Sequence, residues 1–303
     1  MMGETGDAPL SLPKVGEERQ RKFDNGLVIS ISRGGTLLGG DVWKSAHCVQ
    51  RFLSANASTM VVGKRVCELG AGTGYLAMSA HLLGSSLCVA TDRGQVLGLC
   101  NTNLRENDEL LRLANPSGQL ECCACDWEIV QSSGALPEEL VNRASASPFD
   151  LILASDCLYL TKNAVAVLSV LTRLLAQSSS AECLLCQSYR GAPDVEQVFF
   201  ELAAAAGISS NLVSQDEKLS PDRAALKQMN VCIWRLTQDV PSVQARATPA
   251  PLPPPMLDDY PASSLAELVE IRYGLDGRTL WAFCSTKGAG FAAKNEVHWL
   301  GCL

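Results

Sequence analysis

The spacing of apolar residues changes several times along this chain, and each change predicts an element. "GLVISISRG" (26–34) alternates apolar and polar positions, as a half-buried strand does. In "DVWKSAHCVQRFLSAN" the period lengthens, and Val42, Trp43, Ala46, Val49, Phe52 and Leu53 fall on one helical stripe. A βα rhythm follows. "RVCEL" (65–69) leads to a helix over 73–83, and "LCVATD" (87–92) to a helix through "QVLGLCNTNLREN". "QLECCACD" (119–126) closes the first half. "FDLILAS" (149–155) then precedes a helix over 163–177, and "AECLLCQSY" (181–189) a helix over 194–207. A last strand pair is expected at "ISSNLVS" and "NVCIWRLTQ". Continuous apolar strands between amphipathic helices predict an α/β fold, with a mostly parallel sheet covered on both faces.

The texture breaks after Gln238. Seven of the fourteen prolines lie in "VPSVQARATPAPLPPPMLDDYPA", which reads as an extended linker. The expected organisation is a flexible N-terminus (1–19), one α/β domain (20–238), a Pro-rich linker (239–261) and a small C-terminal appendage (262–303).

Composition narrows the partners. At 303 residues and a net charge of −7, the chain can bury a full core but lacks the clustered Lys and Arg of a nucleic-acid binder. Its thirteen cysteines lie mostly inside apolar runs, as buried free thiols in a reducing compartment do. "CLLC" (183–186) has metal-site spacing but sits in a strand-like run with no second pair, so no metal is expected. No apolar stretch reaches the roughly 20 residues that span a bilayer, and the N-terminus does not read as a signal peptide. A cytoplasmic monomer without membrane contact is expected.

The candidate chemistry begins at "VCELGAGTGYL". Glycines at 70, 72 and 74, between a strand and a helix, let a ligand approach backbone N–H groups. A dinucleotide fingerprint would put a small residue five places after the first glycine, where Tyr75 stands, and no Gly-Lys-Ser/Thr of a P-loop follows. The pattern E-x-G-x-G-x-G, with Glu68 leading, resembles motif I of the class I S-adenosylmethionine-dependent methyltransferases. That resemblance implies a Rossmann-like fold with a seven-stranded sheet, an N-terminal hairpin and helix, and S-adenosylmethionine as cofactor. Asp92 then suits the ribose hydroxyls, Asp126 the adenine amino group, and Trp127 a stacking face. The plainer alternative makes the glycines a tight turn and Asp92 a helix cap.

A second motif, Asp156-Cys157-Leu158-Tyr159, ends the fourth strand. Asp156 could orient an incoming ammonium by a charge-assisted hydrogen bond, and Tyr159 could line a slot for a methylene stem. With "LLGGDVWKSAHCVQRFL", "CDW", "FDLILASDCLY" and "QSYRGAPDVEQVFF", the chain resembles the protein-lysine methyltransferases related to the methyltransferase-like 21 proteins, over roughly residues 20 to 237. The resemblance implies Asp156 and Tyr159 as catalytic residues. It implies cofactor contacts from Trp43, Glu68, Gly70, Gly72, Gly74, Asp92, Asp126, Trp127 and Ala154. Arg190 is a candidate substrate contact. The substrate would be a protein presenting a lysine, such as a chaperone, elongation factor or ATPase. Methylation of a nucleic-acid base or small molecule is a rival, though its enzymes carry prolines where Cys157-Leu158 stand. A non-catalytic module retaining the fold is another.

Overall fold

The computed structural model describes residues 19–32, 39–188, 193–214, 219, 223–228, 230–238, 267–273, 278–286 and 295–299. The expected flexible N-terminus (1–18), the Pro-rich linker and Arg190 lie outside the described residues. Arg19, placed in the N-terminal segment by the sequence reading, already belongs to a strand.

Strands β1 (Arg19–Lys22) and β2 (Val28–Ile31) form an antiparallel hairpin. Helices α1 (Lys44–Ala55) and α2 (Ala57–Met60) follow. The main body alternates β3 (Arg65–Leu69), α3 (Tyr75–Leu82), β4 (Leu87–Asp92), α4 (Gly94–Glu106), α5 (Asp108–Ala114) and β5 (Gln119–Ala124). It continues through α6 (Trp127–Ser133), α7 (Glu138–Ala146), β6 (Leu151–Ser155), α8 (Thr161–Leu175), β7 (Glu182–Ser188) and α9 (Pro193–Ala205). β8 (Ile208–Leu212), α10 (Arg223–Gln228) and β9 (Val231–Gln238) complete it.

The seven-stranded sheet runs β5-β4-β3-β6-β7-β9-β8. Its first five strands are parallel, and β9 and β8 close it antiparallel. The chain leaves β3 first toward β4 and β5, then returns to β6 on its other side. That reversal makes the carboxyl ends of β3 and β6 a topological switch point, where open α/β sheets bind ligands. The inner strands are buried on both faces. Leu69, Val89 and Ile152 belong to one apolar layer, Val66, Ala90 and Leu153 to the other. The same two-sidedness disposes of "CLLC". Three places apart in β7, Cys183 and Cys186 project into opposite layers and cannot share a ligand.

Helices α2, α5, α6, α7 and α10 were not expected, whereas the helix foreseen after β4 is α4. The C-terminal appendage contains a three-stranded antiparallel sheet of β10 (Glu267–Tyr273), β11 (Arg278–Thr286) and β12 (Asn295–Trp299).

The hairpin is fastened to α4 by two asparagines. Asn103 accepts from the Ser30 N–H at 2.8 Å and donates to the Ser30 carbonyl at 3.2 Å. Asn107 accepts from the Val28 N–H at 2.9 Å and donates to its carbonyl at 2.8 Å. The side-chain amides thus take the place of a third strand. Asn103 also donates to the Thr73 carbonyl at 2.9 Å, joining the hairpin to the glycine loop. Tyr75, too large for dinucleotide-type packing, fills the space between hairpin and α1, with its ring centroid 4.6 Å from Phe23 and 5.3 Å from His47.

Candidate active site

A cavity of about 250 Å³ opens at the carboxyl ends of β3, β4 and β6. The glycine loop forms its floor. Gly70, Gly72 and Gly74 have φ of 69°, 55° and 81°, the left-handed region that side chains disfavour. Each also meets a neighbour that excludes a Cβ. At Gly72 it would lie 2.8 Å from the Gly39 carbonyl oxygen, and at Gly70 2.9 Å from the Trp127 benzo ring. At Gly74 it would lie 2.6 Å from the Cys100 sulfur. Gly70 and Gly72 line the cavity, whereas Gly74 lets α3 pack against α4.

Glu68 lines the cavity and accepts from the Ala77 N–H at 2.8 Å, tying β3 to the first turns of α3. Burial pushes its pKa up to about 8, against the lowering effect of that N–H. The folded protein therefore holds a proton here that the unfolded chain releases near pH 4.5. Stability falls as pH rises from that value through 8, by a few kcal/mol at most. Glu68→Gln keeps the acceptor and removes the titration. In urea unfolding, the variant is expected to match the native protein near pH 5 and exceed it at pH 8.

Asp92 is not a helix cap. Its Oδ2 accepts from the Gly72 N–H at 2.8 Å and its Oδ1 from the Arg93 N–H at 2.7 Å, while Arg93 is the residue at the cap position of α4, which has no side-chain cap. Burial raises its pKa, opposed by those two N–H groups. Asp126 does cap a helix: Oδ1 accepts from the Glu128 N–H at 2.9 Å and the Ile129 N–H at 3.4 Å, starting α6. That cap sets Trp127 against Gly70. The indole Nε1 of Trp127 is buried without a hydrogen-bond partner among the described residues.

Asp156 ends β6 in the left-handed region, φ 54°, and is 7% exposed. It joins three elements. Oδ1 accepts from the Ser188 N–H at 2.8 Å, and Oδ2 from the hydroxyls of Ser45 at 2.5 Å and Ser188 at 3.3 Å. Ser155 donates to Ser45 at 2.9 Å. Tyr159 is half-buried at the cavity wall, and burial raises its pKa, opposed by the Arg93 charge and the Asn163 amide. Trp43 precedes α1 in extended backbone and stands 45% exposed at the mouth, off the buried stripe that the sequence suggested. Ala154 does not line the cavity. It pairs with Leu69 and Leu185 inside the sheet, and Ser155, one place on, faces the opening.

Nine of the eleven residues assigned from the sequence to the cofactor or the chemistry thus line one cavity, Gly74 and Ala154 being the exceptions. A family model described as lysine methyltransferase matches residues 22–206. The chain belongs to this lysine methyltransferase family. It is 31% identical over 132 residues to the protein-lysine methyltransferase METTL21E of Mus musculus, covering 43% of this chain and 49% of that protein. It is 33% identical over 133 residues to the protein N-lysine methyltransferase METTL21A of Danio rerio, covering 44% and 54%. It is 29% identical over 168 residues to the protein-lysine N-methyltransferase rrg1 of Schizosaccharomyces pombe, covering 52% of each. The chain spans about half the length of these curated relatives.

This member of the lysine methyltransferase family also places at the cavity residues that the sequence reading passed over. Gly39 packs its backbone on Gly72, and a Cβ on it would lie 2.9 Å from the Gly72 Cα. The glycine pair in "LLGGDVW" was its available signal. Arg93, Ser155 and Asn163 line the cavity beside residues that were chosen, and nothing in their local pattern marks them.

Proposed function

We propose that this chain transfers a methyl group from S-adenosylmethionine to a lysine side chain of a protein. The observation that carries the reading is the meeting, in one cavity, of the glycine loop and Asp92 with Asp156 and Tyr159, within a region matched by the lysine methyltransferase family. The residues fit the cofactor. Asp92 and Asp126 offer carboxylates, and Trp127 offers a ring edge and a buried indole N–H without a partner. When bound, the cofactor supplies a methyl group made electrophilic by a sulfonium.

The chain's own residues then hold and prepare the acceptor. Hydrogen bonds from Ser45 and Ser188 fix Asp156, so its carboxylate keeps one direction and draws an ammonium to the strand end. Tyr159, with its raised pKa, stays a neutral phenol able to donate or accept one hydrogen bond. Trp43 and Leu160, exposed and apolar at the mouth, suit the methylene stem of a lysine. Among the described residues no helix is long and apolar enough to cross a membrane. The abundance of cysteines in apolar runs supports a cytoplasmic setting.

Incubation with tritiated S-adenosylmethionine and a cell lysate tests the reading. A discrete, nuclease-resistant labelled protein band, yielding methyl-lysine on hydrolysis, is expected. Label in nucleic acid or small metabolites would overturn the lysine acceptor. Absence of label with cofactor binding intact would favour a binding module.

A further inference from the structure

Asn163 lies in the first turn of α8, is 6% exposed, and lines the same cavity as Asp156, Tyr159 and Trp127. Its side-chain oxygen, Oδ1, is buried and has no hydrogen-bond partner among the described residues. An amide oxygen taken from water without a donor is destabilising, and folded proteins retain few of them. The Asn163 amide meets the Tyr159 phenol, yet Oδ1 itself receives no donor, and the other neighbours are engaged elsewhere. The Asn163 backbone N–H goes to the Leu160 carbonyl, the Lys162 ammonium to Glu128, and the Gln187 amide to Leu158. Among the cavity-lining residues, Trp127 Nε1 is the other buried polar atom without a partner, and it is a donor where Asn163 Oδ1 is an acceptor.

We propose that Asn163 is a specificity residue of this site: its Oδ1 accepts a hydrogen bond from an amino group of a bound ligand. The inference rests on the methyltransferase reading, which brings two such groups to the cavity, the adenine amino group of the cofactor and the amine of the acceptor lysine. Both are N–H donors, the chemistry an amide oxygen selects. A ligand without that N–H leaves the buried oxygen unpaired and is rejected accordingly.

Two variants test this. Asn163→Leu removes the acceptor at similar volume, and Asn163→Asp restores an acceptor oxygen. Because Asn163→Leu also removes an unpaired polar atom from the interior, its melting temperature is expected to equal or exceed the native value. Calorimetric titration uses S-adenosylhomocysteine and S-inosylhomocysteine, which differ at the amino group. Transfer is measured with tritiated S-adenosylmethionine and lysate protein.

If Asn163 reads adenine, the native protein prefers the adenosyl compound by roughly tenfold and Asn163→Leu binds both alike. If it reads the lysine amine, Asn163→Leu keeps native affinity for both compounds, transfers label at about a tenth of the native rate or less, and Asn163→Asp recovers transfer. Asn163→Leu with native preference and native transfer overturns the proposal. So does a lowered melting temperature with binding and transfer lost together, which marks a structural role. A native protein that neither binds nor transfers refutes the methyltransferase reading in the first arm, and the assignment of Asn163 falls with it.

Discussion

Gly72→Val abolishes cofactor binding: titration of the variant with S-adenosylhomocysteine gives no measurable heat where the native protein binds. Three effects act together at this position. A Cβ would lie 2.8 Å from the Gly39 carbonyl oxygen, so two backbones must separate. A β-branched residue at φ 55° is strained whatever the space, by about 1–3 kcal/mol. The shift also pulls the Gly72 N–H from Asp92, releasing the carboxylate from the loop it orients. Gly63 provides the control. Its φ is 71° but nothing stands within 4 Å of an added Cβ, so Gly63→Ala meets the dihedral strain without a clash and retains binding. A Gly72→Val protein that is folded by circular dichroism and binds normally would show that the loop does not hold the ligand.

The second large effect is expected at Asp156, where the replacement must be chosen with care. Asp156→Ala leaves the buried Ser188 N–H without an acceptor, at a cost of about 1–3 kcal/mol, and confuses stability with chemistry. Asp156→Asn is cleaner. Asparagine tolerates the left-handed backbone, its oxygen can accept from Ser188, and its amide can donate to Ser45. Only the charge is lost. Methyl transfer is expected to fall about 10²–10⁴-fold while S-adenosylhomocysteine affinity stays within a factor of a few. Normal turnover in Asp156→Asn would reduce this carboxylate to a tether between α1, β6 and β7.

Some of this was legible because burial writes itself into sequence. β3, β4 and β6 lie under helices on both faces, so they read as unbroken apolar runs. Strand β1 could not be read that way. Its sequence is RQRK, and only its pairing with β2 makes it a strand. Helices α6 and α7 are short and largely exposed, leaving little periodicity to detect. In the site, the glycines and acids were legible because their positions follow from the strand ends. Ala154 does not line the cavity while Ser155 does, because in a strand one residue exchanges the two faces. Trp43 fitted the helical stripe by count, but the helix starts after it, and its extended backbone takes it off that face. Asn163 left no signal, because an unpaired oxygen is a property of the folded surroundings alone.

The asparagine clasp on the hairpin has a metric consequence. Four residues along a helix advance about 6 Å, and two residues along a strand about 6.7 Å. Asn103 and Asn107 are four apart, and their partners Ser30 and Val28 are two apart, so the two rulers nearly coincide over this single interval. Sliding the hairpin by one residue would misalign both graduations at once, and the chain therefore has one seating for it. Since the Thr73 carbonyl hangs from the same Asn103 amide, that seating also calibrates the height of the glycine loop. A hairpin that looks peripheral in sequence thus serves as the gauge against which the floor of the cavity is set.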